Sequence, residues 1–128
     1  MACDANGLAL AFALLCGQAS ELRAAPALLA DVRAIGPVGR VICDRAYSSG
    51  PWRRMIEDAE AEPCVPANRT HPSVPYDRAA YKRRHRVENL WARLKDVRAV
   101  AFRTDKTARS YHGALCLAAT LDWLSNRP

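Results

Sequence analysis

Five side chains in this sequence have types and spacings that could do chemistry: Asp44, Tyr81, Arg84, Glu88 and Lys95. The last four share one stretch, YKRRHRVENLWARLK, and stand at steps of three, seven and fourteen counted from Tyr81. On a helix advancing roughly 100° per residue they fall within an arc of about 60°. Val87, Leu90, Trp91 and Leu94 lie beside that stripe as an apolar face, with Lys82, Arg86 and Arg93 mostly on the outer face. A lone carboxylate among cations, at the seam between a greasy and a basic side, can be a metal ligand or a general base. It can equally be charge relief for Arg84 on a solvated basic helix. Asp44 ends a short apolar run, VGRVICD, which reads as a buried parallel strand with the acid at its C-terminal tip. In open α/β sheets that tip is where ligands bind.

These side chains must be placed by one domain, or part of one, since the chain has 128 residues, half of them hydrophobic. Its net charge of +6 is unevenly spread. Residues 1–66 hold six Lys/Arg against eight Asp/Glu, and residues 67–111 hold twelve against four. A basic block of that kind suits a polyanion, because each phosphate neutralised releases counterions. The five cysteines, Cys3, Cys16, Cys43, Cys64 and Cys116, show no CxxC spacing and read as reduced core thiols of a cytosolic protein. His71, His85 and His112 show no metal-ligand spacing. The apolar run Leu8 to Cys16 is too short to span a bilayer and no basic segment precedes it, so neither membrane insertion nor a targeting segment is expected.

In chain order, Asp4-Ala5-Asn6-Gly7 predicts a hairpin turn, with Leu8 to Leu15 as the second strand and Gly17 ending it. Few residues precede the turn, so the first strand is a stub, as in a chain that begins partway through a fold. Ser20 opens a helical stretch with Leu22, Leu28, Leu29, Val32 and Ile35 on its apolar side. Pro26 requires that this helix either start near it or kink there, and Gly36-Pro37 stops it. After the Asp44 strand, Ser48/Ser49 and Pro51 begin a helix to about Ala61, carrying Trp52, Met55 and Ile56 inward. The segment EPCVP reads as a short edge strand, and Ala67 to Tyr76 as a loop. Asp77 is a plausible N-cap for the Tyr81–Lys95 helix. Thr104 or Asp105 caps a last helix with Tyr111, Leu115, Ala118, Ala119 and either Leu121 or Trp123 turned inward. The sum is an α/β domain with a small mixed sheet.

With Asp44 and Glu88 placed, Tyr81-x2-Arg84-x3-Glu88-x6-Lys95 matches every position of the Y-R-E-K signature of bacterial insertion-sequence transposases. These are DDE enzymes with a ribonuclease-H-like core. The order DANG, LCGQAS, ICDRAYSS, VPANR, the basic block, then FRTDKTARSYHGALCLAATLDWL also resembles that family, over nearly the whole chain. The resemblance implies three carboxylates holding two divalent metal ions, usually magnesium, for in-line attack on a phosphodiester. It makes Asp44 the second acid and Glu88 the third, with forty-three residues between them. It implies that Arg84 and Lys95 contact DNA phosphate and that Tyr81 stacks on or positions a base or sugar. Arg69, Lys106 and Arg109 are further candidates for the DNA backbone, as is Asn68, while Trp91 is expected in the core.

The family's first Asp lies on a first strand upstream of the hairpin, and Asp4, in the turn, is expected to serve the turn. Residues 1–128 are therefore expected to be a partial DDE catalytic domain. The expected fold is an incomplete ribonuclease-H-like one, a mixed sheet flanked by helices that lacks its first, central strand. Its functional reading is the C-terminal part of a transposase, inactive alone, in the bacterial cytoplasm on nucleoid DNA. Its partners would be insertion-sequence terminal repeats and target DNA, an upstream-frame transposase part or intact transposase, and further copies in an active oligomer. The alternative is a truncated, non-catalytic DNA-binding remnant or regulator of intact transposase.

Overall fold

A computed structural model describes residues 1–68, 74–103 and 105–126. They gather into two units, Met1–Leu14 with His85–Pro128, and Leu15–Arg84.

In the first unit the Asn6-Gly7 turn forms as the sequence requires. Gly7 takes φ 82°, the left-handed region that favours glycine. The Asp4 carboxylate accepts from the Asn6 and Leu8 N–H groups, both at 2.8 Å. The turn joins strands β1 (Ala2–Cys3) and β2 (Ala9–Ala11), paired antiparallel with Ala2 opposite Ala11 and a register shift before Cys3 meets Ala9. The second strand was expected to run to Leu15. Its ladder stops at Ala11 because two-residue β1 offers no further partner, and Leu14 and Leu15 stay exposed. Three helices complete the unit: α4 (His85–Leu94), α5 (Arg98–Phe102) and α6 (Ala108–Ser125), numbered after the second unit's α1 (Ala25–Ile35), α2 (Gly50–Asp58) and α3 (Arg78–Tyr81). Leu90 and Leu94 of α4, Val100 of α5 and Leu115, Ala118 and Ala119 of α6 bury a common core with Ala9.

Two expectations change here. Helix α6 starts at Ala108, capped by the Thr107 hydroxyl, which accepts from the Ser110 N–H at 3.1 Å. Asp105 is not its cap, and Thr104 lies outside the described residues. Of the two inward candidates, Trp123 turns in and Leu121 is 58% exposed, because the Trp123 indole N–H reaches the Ala9 carbonyl at 2.7 Å.

In the second unit Pro26 sits in the first turn of α1, where its missing N–H costs nothing, and a separate 3-10 turn at Glu21–Arg23 precedes it. Leu28 and Leu29 are buried, but Ile35, in the last turn, is 64% exposed. Strand β3 (Arg40–Ile42) pairs in parallel with β4 (Glu62–Cys64), Arg40 opposite Glu62 and Ile42 opposite Cys64. Helix α2 connects them, capped by Ser49 Oγ accepting from the Trp52 N–H at 3.1 Å. Trp52 and Ile56 enter a core with Ala25, Leu29, Ala59 and Ala61, whereas Met55 turns outward.

The one mixed sheet expected is instead two separate two-stranded sheets, β1–β2 and β3–β4. Among the described residues no strand joins them, so each pair satisfies only its own shared edge. The α/β class stands. No described helix is long and apolar enough to cross a membrane.

Candidate functional site

Asp44 stands two residues past the end of β3, as the N-cap of a 3-10 turn at Arg45–Tyr47. Its Oδ1 accepts from the Ala46 N–H at 2.8 Å, which orients the half-buried carboxylate. Around it, burial pushes the Cys43 thiol up to about 11, an effect the Trp52 indole opposes without offsetting. Burial, then the Glu21 carboxylate that accepts from the Tyr47 hydroxyl at 3.2 Å, raise the Tyr47 phenol. Both neighbours are thereby held in their neutral forms beside Asp44.

The segment expected as one helix from Tyr81 to Lys95 is divided. Helix α3 ends at Tyr81, a 3-10 turn spans Lys82–Arg84, and α4 begins at His85. A 3-10 turn advances faster per residue than an α-helix. The straight stripe read from the sequence is therefore interrupted, with Tyr81 and Arg84 in the second unit and Glu88 and Lys95 in the first. Asp77 caps α3 as expected, its Oδ1 accepting from Ala79 and Ala80 N–H groups at 2.9 Å. Its Oδ2 accepts from Arg40, which also donates to Glu62 at 2.6 Å, so one guanidinium ties β3, β4 and the start of α3 together.

Glu88 is exposed in the first turn of α4. Lys95 lies one residue past the end of α4, with its ammonium over the Trp91 ring at 5.3 Å. Trp91 is half-buried against the core, in keeping with its place on the apolar arc. Tyr81 meets Tyr76 edge to face at 5.4 Å between ring centroids, and Arg84 is half-buried. Lys106 and Arg109 are exposed before and within the first turn of α6. Asn68 donates its backbone N–H to Ser48 Oγ at 3.1 Å. Arg69 lies outside the described residues.

Arg93, expected on the outer face, forms a two-pronged pair with Asp122 of α6 at 2.6 and 2.9 Å and donates to the Gly7 carbonyl at 2.7 Å. Helical spacing cannot find such a pair, because its partners lie 29 and 86 positions away. Asp4 serves the turn, as expected. Two of the five cysteines, Cys16 and Cys116, are exposed rather than in the core, and all five are free thiols.

Residues 41–125 match the family model described as a transposase DDE domain, a span that contains both Asp44 and Glu88. The chain belongs to the DDE transposase family of bacterial insertion sequences. A relative from Brucella ovis, named as a candidate transposase for insertion sequence element IS6501, is 34% identical over 123 residues, covering 94% of this chain and 92% of the relative. No solved structure gives a significant match. A DDE transposase acts in transposition, on DNA, with a divalent metal. Among the described residues no cluster of three or more His, Cys, Asp or Glu is placed to hold a metal ion. Carboxylates are the donors a hard divalent cation prefers, and Asp44 and Glu88 are each of that type.

Proposed function

We propose that this chain contributes Asp44 and Glu88 as the second and third acids of a transposase centre that cleaves phosphodiesters at insertion-sequence ends and transfers the strand. The observation that carries this is the position of Asp44, oriented just beyond the C-terminal end of a parallel strand inside the family-matched residues. The third carboxylate is assigned to a segment outside residues 1–128, because Asp4 is committed to its turn. On that reading the residues form an incomplete ribonuclease-H-like fold. Magnesium, when held by the complete set, activates the attacking oxygen and stabilises the leaving one.

The chain's own residues bind and place DNA. Arg84 and Lys95 hold phosphate near the cut end, and Tyr81, steadied by Tyr76, packs on a sugar or base. Lys106 and Arg109 add cations at the N-terminal end of α6, where the helix dipole disfavours positive charge and an anion relieves both. Arg69 extends the same role. The active assembly is an oligomer.

The test uses the full chain, magnesium and a labelled duplex carrying an insertion-sequence end, with and without the polypeptide encoded just upstream. We expect no cleavage by the chain alone and cleavage in the mixture, lost on Asp44→Asn or Glu88→Gln. Cleavage indifferent to both substitutions overturns the assignment. Binding without cleavage in every mixture favours the alternative, a DNA-binding regulator of intact transposase.

A further inference from the structure

Helix α6 carries two metal-ligating side chains outside the candidate DDE site. His112 and Cys116 stand four positions apart, so they are neighbours on one helix face. The Cys116 sulphur and His112 Nδ1 lie 3.6 Å apart, and both residues are exposed. Phe12 steadies the imidazole from the side, the two rings meeting edge to face with centroids 6.4 Å apart and planes at 90°. Phe12 itself packs against the core that α6 shares with α4 and α5. These residues all belong to the first unit, and the pair needs only one turn of a single helix.

The donors are a thiol and an imidazole. A thiolate is a soft ligand and an imidazole a borderline one, a set that suits zinc rather than magnesium or calcium. The distance agrees. Zinc bonded to sulphur at about 2.3 Å and to nitrogen at about 2.0–2.1 Å, at a tetrahedral angle, holds those two atoms about 3.6 Å apart. His112 has no second histidine at ligand spacing; its companion donor is this thiol. A thiol–imidazole hydrogen bond gives the same separation, and metal titration tells the two apart. Among the described residues no group of three or more His, Cys, Asp or Glu is placed to hold a metal ion, so water completes the shell.

We propose that His112 and Cys116 form a two-ligand zinc site on α6, separate from the carboxylates Asp44 and Glu88. On binding, the Cys116 thiol releases its proton to solvent as the sulphur–zinc bond forms, and the neutral His112 ring gives its Nδ1 lone pair. The ion then bridges two successive turns of α6 and clamps the helix between them. The site does not rest on the catalytic reading of Asp44.

The test titrates the full chain, reduced and then freed of added thiol, with cobalt(II) in place of zinc. A thiolate-to-cobalt charge-transfer band should grow and saturate at one ion per chain. Zinc should bleach it and excess magnesium should not. Cys116→Ser should abolish the band, while Cys16→Ser, which removes the other exposed thiol, should keep it. Without its second donor, His112→Ala should weaken cobalt binding by about a hundredfold. In the unaltered chain, alkylation mapped cysteine by cysteine should slow with zinc at Cys116 and not at Cys16. A band that survives Cys116→Ser, or affinity indifferent to His112→Ala, overturns the proposal. So does saturation at one ion per two chains, since two copies then share the metal. Absence of any band, with Cys116 alkylated equally fast with and without zinc, leaves only the hydrogen bond.

Discussion

Asp77 accepts hydrogen bonds at both carboxylate oxygens, from two backbone N–H groups and from Arg40. The Ala80 N–H, then that of Ala79 and the Arg40 charge, hold its carboxyl below the ordinary value of 3.8. A depressed folded-state value contributes stability that is present above the unfolded value and lost as pH falls through the folded one. Melting temperature followed from pH 5 downward should thus fall more steeply for the native chain than for Asp77→Asn, which keeps a cap but does not titrate. Equal slopes would remove Asp77 from the acid response. Asp122→Asn is a second residue-scale test. It preserves shape while weakening a charged, two-pronged bond to Arg93, and should cost about 1–3 kcal/mol in urea unfolding. The Asp77 cap was legible in the sequence because a cap is a local bond. The Arg93–Asp122 pair was not, because nothing local distinguishes a cation that meets a distant acid from one that meets water.

At the scale of elements, the apolar arc of α4 was read correctly at Leu90 and Leu94, which are fully buried. Leu90→Ala should destabilise by about 2–5 kcal/mol, and Ser49→Ala, which removes the cap of α2, by about 1 kcal/mol. Calorimetry on both checks the order, and a larger loss at Ser49 would mean that α2 is held by its cap more than by Trp52 and Ile56. The turn at Asn6-Gly7, the start of α1 at Pro26 and the parallel β3 all follow from strong local signals. Strand lengths do not, since a strand extends only as far as its partner does, and β1 ends β2 early. The 3-10 turn at Lys82–Arg84 was missed for a related reason. Three successive cations in a basic run carry no Gly or Pro to mark a change of helix type.

For the whole molecule the relevant quantity is the uneven charge, concentrated in residues 67–111. If Arg84 and Lys95 meet phosphate, Arg84→Ala and Lys95→Ala should each flatten the plot of log binding constant against log salt by about one unit. Fluorescence anisotropy with duplex DNA at several salt concentrations measures this, and an unchanged slope would take that cation off the DNA. The family could be read from the four-point signature; the division into two sheets could not, since it depends on which edges find partners. Two contacts reach further. Trp123 holds the Ala9 carbonyl across 114 positions, and Arg93 holds that of Gly7 across 86. During synthesis, therefore, the contiguous stretch from Leu15 to Arg84 leaves the ribosome with its internal partners already made. The hairpin, although translated before that stretch, must wait for Arg93 and Trp123 before its carbonyls are held.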